Sequence, residues 1–484
     1  MEDVIVIGSG MAGLTAAALL THKGLKVRIL EQNWMPGGCS SSYPRHHFIF
    51  ESGATTLVGL DKHMPLRYLV DLTGIHIDAQ KLDIPMRVHL SDGTVVTRYQ
   101  DLDDWIREAE RVFGPEGQRA FWQEAYKVSQ FVWESSLRQL AFPPTRFRDL
   151  VEAAKNVSWS QVRHLQDAFR STEALLKRHK LHKNSRFRSF IDEQLLITAQ
   201  NYAPEVNVLF GAAALCYTNY SNYYVPGGMF QLVKPIVDYI EANGGSLDLR
   251  TRVEQIDKEG NSYRVKTRKK GEFKAKYVLS AIPLNNTLPL FDADWTEKVG
   301  RKTMPSNMLR SAFQMGIAFK KHREFEVIHH QIHLENHLPD IDAASIFLSL
   351  SHPEDTLRCK PDEAVASIST HVFDPEGTLV EQKDKLEAMV IDVLEEKGFL
   401  KKENILYKHA STPGAWQKWT AREWGFVGGY PQYMKIKPWQ MKDARLDGDR
   451  AYICGDSTYP GQGIPGACLS GIIAVEKMSL DHRL

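Results

Sequence analysis

Cysteine is scarce in this chain: five among 484 residues, at Cys39, Cys216, Cys359, Cys454 and Cys468. The number is odd and no two form a Cys-x-x-Cys pair, so neither a disulfide framework nor a zinc site is indicated. A reducing cytoplasm is expected. Net charge is nearly absent. Sixty Lys and Arg face 59 Asp and Glu, for +1, which leaves no bulk electrostatic footprint for nucleic acid. No long apolar run stands out. Residues 206–233 carry no charge, but Asn207, Asn219, Ser221, Asn222 and four tyrosines interrupt them, which suits buried lining better than a membrane span. No basic segment and apolar stretch precede the strand-like Val4–Ile7, so no secretory signal is expected. No fixed-period repeat or low-complexity segment is visible.

What is present is globular in character. Hydrophobic residues make up 43% and charged residues 25%. At about 150 residues per domain, the length implies two or three domains. That is enough chain to bury a core without a disulfide or metal staple.

Residues 1 to 35 read as strand, turn, helix, strand. Residues 101–200 look mainly helical. Phe147, Leu150, Val151 and Ala154 fall on one helix face, after a break at Pro143-Pro144. Pro226-Gly227-Gly228 is expected to open a helix through Ala242, ended by Gly244-Gly245. Apolar runs follow at Leu247–Leu249, Val253–Ile256 and Tyr277–Ile282. Residues 310–440 mix strand-like and helical stretches. The end reads as strand, Gly/Pro-rich loop, helix.

Gly8-Ser9-Gly10-Met11-Ala12-Gly13 carries the clearest chemistry. It follows an apolar strand, opens an Ala/Leu-rich helix, and is followed by a second strand, Val27–Leu30, ending in Glu31. Gly8 permits the tight turn, Gly10 lets backbone approach a pyrophosphate, and Gly13 lets helix and strand pack closely. The helix N-terminus offers free N–H groups to phosphate. Glu31 would accept hydrogen bonds from ribose hydroxyls. The fingerprint alone does not separate FAD from NAD. A second match, Gly461-Gln462-Gly463-Ile464-Pro465-Gly466, has no abutting strand and contains Pro465, and only eighteen residues follow it. It is rejected as a nicotinamide site.

Further segments narrow the choice. Gly37-Gly38 and Phe50-Glu51-Ser52-Gly53-Ala54 follow the first strands. Tyr224-Val225-Pro226-Gly227-Gly228-Met229, Val253-Glu254-Gln255-Ile256 and Tyr277–Pro283 lie mid-chain. Arg422-x2-Gly425-x2-Gly428-Gly429, Ala451–Asp456 and Gly463-Ile464-Pro465-Gly466 lie near the end. In these motifs the chain resembles the phytoene desaturase, carotenoid isomerase and retinol saturase family of FAD-dependent oxidoreductases, within the flavin amine-oxidase superfamily. The resemblance runs over essentially the whole chain. Gly38-Cys39-Ser40-Ser41-Ser42-Tyr43 is more similar to the isomerase and saturase branch.

The resemblance implies an α/β fold. A Rossmann-like FAD-binding domain would be built from discontinuous segments (1–85, 205–284 and 441–484). Segment 86–204 would belong to the substrate domain and carry a helical insert, and 285–440 would form an α+β substrate domain. It implies that Gly8, Gly10, Met11, Ala12, Gly13 and Glu31 hold the ADP half of FAD, with Gly37 and Gly38 against the cofactor. Val253 would meet the adenine edge and Asp456 the pyrophosphate and ribityl chain. Gly463 and Ile464 would present N–H groups to the flavin N1/C2=O edge, where a helix N-terminus favours the anionic reduced ring. Residues 416–432 contain no cysteine, so the FAD is expected to be non-covalent. Glu51 and Ala421 depart from the residues many relatives carry, Asp and Gly.

Cys39 and Cys454 are read as small buried hydrophobes. His46-His47 is read as surface or core histidines, and no metal site is expected. Tyr217, Tyr220, Tyr223 and Tyr224, with Trp416, Trp419 and Trp424, form an aromatic concentration. It is either core packing or the lining of an apolar tunnel for a long polyene. Residues 138–190 carry twelve Lys/Arg against four Asp/Glu, a local +8, together with Phe142, Phe147, Trp159, Phe169, Leu175, Leu176, Phe187 and Phe190. That suits either a solvated helical face or an element lying on a membrane surface.

The expectation is an FAD-dependent oxidoreductase acting on carbon–carbon bonds of a lipophilic isoprenoid polyene, as desaturase, isomerase or saturase. It would be cytoplasmic and peripheral on the membrane, exchanging electrons with oxygen, a quinone or another carrier. A soluble amine or amino-acid oxidase and a non-catalytic flavoprotein of a pigment-making complex are the alternatives. Arg422 and Glu51 are the only candidates for catalytic side chains.

Overall fold

A computed structural model describes residues 1–156, 164–338, 341, 343–377 and 382–484. Strand Glu2–Ile7 is apolar from Val4 onward because that stretch is interior to a sheet. Val27–Leu30 lies parallel on one side of it and Gly271–Ser280 parallel on the other. Strands flanked on both sides and covered on both faces read as continuous apolar runs. Gly8 then turns the chain at φ +93°, and helix Met11–His22 begins.

That helix is buried along nearly its whole length, which explains its run of alanines. Its neighbours are helix Phe230–Ala242 and the last helix, Gly463–His482. The last helix approaches so closely that a Cβ on Gly471 would lie 2.5 Å from the Ala12 carbonyl oxygen.

The first sheet has seven strands. Its order is Val253–Glu259, Ser262–Thr267, Gly271–Ser280, Glu2–Ile7, Val27–Leu30 and Ser246–Asp248, with Ala451–Ile453 beside Gly271–Ser280. Residues from both ends and the middle of the chain therefore share one parallel core, with an antiparallel meander at its edge. A second seven-stranded sheet runs Ile405–Ser411, Ser311–Lys320, Glu363–Val372, Ala343–Leu350, His329–Leu338, Met86–His89 and Val95–Arg98. Helices between residues 102 and 215 build a separate apolar cluster around Trp105, Trp122, Phe187 and Phe190. The chain is thus α/β, with a Rossmann-like layer, an α+β part and a helical insert.

One expectation changes. The mid-chain helix starts at Phe230 rather than at the Pro-Gly-Gly segment, because Gly227 and Gly228 hold φ of +77° and +94°, which no helix allows. The helix expected from Phe147, Leu150, Val151 and Ala154 is present as Phe147–Lys155, and its apolar stripe faces outward. Phe147 is 79%, Leu150 55% and Val151 41% exposed, while Asp149 is fully buried. Asp149 accepts two hydrogen bonds from Arg445 (2.6 and 2.8 Å), and Lys477 and Asp443 complete the cluster with Asp481. Trp159 of the insert lies outside the described residues.

Candidate active site

Two cavities adjoin one another. The first, of about 290 Å³, runs along the C-terminal ends of the parallel strands. Gly8, Gly10, Met11, Ala12, Glu31, Gly37, Gly38, Val253, Asp456, Gly463 and Ile464 all line it. Gly13 does not; it packs beneath, where a Cβ would stand 2.4 Å from the Gly8 carbonyl oxygen. A Cβ on Gly10 would meet no protein atom within 4 Å, so its backbone is laid bare to the cavity.

Helices Met11–His22 and Gly463–His482 both start at this cavity, and neither N-terminus is capped by a side chain. Their N–H groups suit phosphate at one end and an electron-rich ring edge at the other. The Glu31 carboxylate accepts from Ser9 N (2.9 Å), Ser9 Oγ (2.6 Å) and Asn33 N (2.8 Å), which fixes its orientation and leaves an acceptor site for a diol. These features fit an extended dinucleotide. Thr251 and Arg252 also line the wall and had no readable signal in the sequence.

Arg422 lines the same cavity. Its guanidinium sits 2.5 Å from Asp456 and donates to the Phe426 carbonyl at 3.2 Å. Burial works against its charge, but Asp456 outweighs that and raises its pKa. Glu51 lies off both large cavities, beside a polar one of about 30 Å³. It accepts from Ser42 Oγ (2.8 Å) and Met229 N (3.0 Å), with Arg358 at 3.3 Å. Burial raises its pKa, against the pull of Arg358 and these donors. The two catalytic candidates are therefore apart, one at the dinucleotide cavity and one in a buried joint between segments.

The second cavity, of about 430 Å³, adjoins the first and shares Cys39, Ala54, Gly428, Gly463 and Ile464 with it. Among the described residues its lining contains no Asp, Glu, Lys or Arg. Tyr217 and Trp416 line it; Trp419 lines the first cavity instead. The other aromatic candidates are elsewhere. Tyr220 reaches Ser129 Oγ at 3.0 Å, and Tyr223 is held in a short strand pair. Tyr224 donates to Asp355 at 2.6 Å, and Trp424 packs in a different core cluster. Tyr223 and Tyr224 are adjacent in one strand and face opposite ways, so the two could not line one wall. The lining instead draws on Trp133, Phe210, Phe347 and Tyr459, which no sequence spacing links.

Cys39 borders both cavities, and burial raises its thiol pKa. His47 pairs with Glu363 at 2.9 Å. Among the described residues no cluster of His, Cys, Asp or Glu suits a metal, and no helix is long and apolar enough to cross a membrane.

The family model for flavin containing amine oxidoreductase matches residues 11–479. Prolycopene isomerase 1, chloroplastic, of an Oncidium hybrid cultivar is 26% identical over 504 residues, covering 99% of this chain and 84% of that protein. Phytoene desaturase (neurosporene-forming) of Rhodobacter capsulatus is 24% identical over 512 residues, covering 98% and 94%. Putrescine oxidase bound to putrescine superposes with a TM-score of 0.64 at 14% identity, covering 99% of this chain and 98% of that structure. That last likeness concerns the fold alone.

Proposed function

This chain belongs to the flavin containing amine oxidoreductase family, and from that premise we propose that it is an FAD-dependent oxidoreductase of carbon–carbon bonds in an isoprenoid polyene. It is a flavoenzyme, and its cofactor is FAD. Relatives named for carotenoid isomerisation and desaturation support the substrate class. The observation that carries the reading is the second cavity, whose lining carries no charged side chain among the described residues and which adjoins the dinucleotide cavity at Cys39, Ala54, Gly428, Gly463 and Ile464. A charged amine placed there would lose its hydration with no counter-charge in the described lining. This disfavours an amine or amino-acid oxidase, despite the shared fold.

In this reading Gly8, Gly10, Met11, Ala12 and Glu31 hold the ADP half, with Gly13 keeping the helix close enough to the strand for them to do so. Val253 would meet the adenine edge, Asp456 the pyrophosphate and ribityl chain, and Gly37 and Gly38 would lie against the cofactor, while Gly463 and Ile464 would offer N–H groups to the ring edge. When bound, the flavin supplies a two-electron acceptor or donor. Arg422 positions Asp456. Tyr217, Trp416 and their neighbours exclude water and align the chain of double bonds. Oxygen or a quinone would exchange electrons with the site. The segment boundaries 85, 204, 284 and 440 remain our division of the chain.

The test is pigment analysis in bacterial strains that accumulate phytoene, lycopene or cis-carotenes. A new pigment absent from the vector control is expected. A red shift identifies desaturation, added hydrogens with a blue shift saturation, and unchanged mass isomerisation. A folded, FAD-loaded protein that leaves every extract unchanged would count against carotenoids as substrates.

A further inference from the structure

The wall of the second cavity carries a polar cluster that the reading so far does not use. Gln200, His371 and Gln462 come from three distant segments: the residue after helix Ser185–Ala199, strand Glu363–Val372, and the loop before the last helix. All three line the second cavity and none lines the first. Gln200 and Gln462 flank Gly428, which borders both cavities, and His371 joins them through Gln200. Gln200 Nε2 stands 3.1 Å from His371 Nε2. A Cβ added to Gly428 would lie 2.7 Å from Gln200 Nε2, with Gln462 Oε1 closer still.

Gln200 is only 3% exposed, and its backbone is held at φ +59°, a left-handed conformation that costs a non-glycine residue. Gln200 Oε1 and Gln462 Oε1 are both shielded from solvent and have no protein partner. Buried amide oxygens are normally paired, so two unpaired ones on a cavity wall point to a ligand. Gln462 Nε2 donates to the Ile197 carbonyl at 3.4 Å, which sets that amide's orientation and leaves its oxygen unpaired; exchanging O and N of Gln200 leaves one atom of its amide unpaired either way.

We infer that Gln200, His371 and Gln462 form a subsite for a neutral oxygen function, a hydroxyl or carbonyl, so that the substrate is an oxygenated polyene rather than a pure hydrocarbon. This rests on the polyene reading above. A hydroxyl satisfies the cluster because it donates to an amide oxygen and accepts from an amide N–H. A carboxylate or ammonium is excluded by charge: no lining residue among those described is Asp, Glu, Lys or Arg. Burial, with Arg310 nearby, pushes the His371 imidazole down to about 4, so it is neutral at pH 7. Because Gly428 borders both cavities, the oxygen-bearing end of the substrate lies nearest the cofactor.

The test uses the FAD-loaded enzyme and two length-matched pairs: all-trans-retinol with its deoxy hydrocarbon, and 1-hydroxylycopene with lycopene. Binding is followed by quenching of tryptophan fluorescence. In at least one pair the alcohol is expected to bind about tenfold more tightly than its hydrocarbon, the scale of one or two buried hydrogen bonds. Gln200→Leu and His371→Leu should abolish that preference while leaving FAD content and hydrocarbon affinity unchanged. Equal affinity of both members of each pair in the wild type would overturn the subsite and leave the polyene reading standing. Variants that lose FAD or change the flavin spectrum but keep the preference would assign the cluster to the cofactor and also overturn it. If no polyene binds the folded, FAD-loaded enzyme, the polyene reading itself fails.

Discussion

Gly10 and Gly13 stand one helical turn apart, yet an added methyl would have opposite consequences at the two positions. At Gly13 it would press on the Gly8 carbonyl at 2.4 Å and on Ala281 Cβ at 2.7 Å, both fixed by the sheet. Overpacking of that kind costs about 1–3 kcal/mol. At Gly10 it would meet no protein, and the backbone there (φ −68°, ψ 171°) accepts any residue. Gly10→Ala should therefore melt like the wild type without FAD but bind FAD at least tenfold more weakly, because its methyl occupies the pyrophosphate's approach. Gly13→Ala should melt lower even as the apoprotein. Melting curves with and without FAD, and a fluorescence titration, separate the two. Normal FAD affinity in Gly10→Ala would remove that glycine from the binding site. Both roles are legible from the spacing of the fingerprint, since each is local to one strand–turn–helix unit.

Helix Phe147–Lys155 shows the limit of such reading at the scale of an element. Its period is legible in the sequence, but its orientation is not. An amphipathic helix normally turns its apolar stripe inward. Here Asp149 turns inward to meet Arg445 and Lys477, which come from about three hundred residues away or more. Burial alone would raise the Asp149 carboxyl, but the hydrogen bonds from Arg445 and Thr145 and the charge of Lys477 hold it below the usual carboxylate range. Asp149→Asn is expected to lose about 3 kcal/mol at neutral pH, because two buried cations are left under-compensated. The sign of the pH dependence follows from the lowered pKa. The stabilisation is fully present above the unfolded-state value of 3.8 and is lost as pH falls through the lower folded value. The gap between wild type and variant in denaturant melts should thus hold down to about pH 4 and close below it. A gap that is small at pH 7 would show the cluster to be dispensable.

For the whole molecule, helix Phe147–Lys155 leaves Phe147, Leu150 and Val151 on the surface. Elsewhere on it, exposed Phe169 lies against exposed Trp439, with the rings 5.2 Å apart. The positive charge of the insert is less available than its composition implies. Arg146 pairs with Asp481, Arg178 with Glu124, Arg186 with Asp92 and Arg188 with Glu173. We propose that membrane contact is made by the apolar face and depends little on anionic lipid. The FAD-loaded chain should float with liposomes of neutral lipid, and the triple variant Phe147→Ser, Leu150→Ser, Val151→Ser should float at least tenfold less while retaining FAD. Equal flotation of the two would remove this face from the membrane. Such a surface suits an enzyme whose substrate must leave a bilayer to reach an apolar cavity.

The sequence by itself determined the Rossmann-like unit, the FAD cofactor and the family, because each resides in short segments whose local geometry and backbone contacts are encoded in place. Gly8, Gly10 and Glu31 lie within one strand–helix–strand stretch, and chain separation does not obscure them. Only the tertiary structure decided which side chains line the second cavity. Tyr217 and Trp416 reach it, while Tyr220, Tyr223 and Tyr224 turn to other partners. Gln200, His371 and Gln462 converge there from positions that share no motif. The reason is physical: a backbone-binding site is specified by glycines and helix starts that are local. An apolar wall is specified by whichever faces of distant elements the packing happens to turn toward the same space.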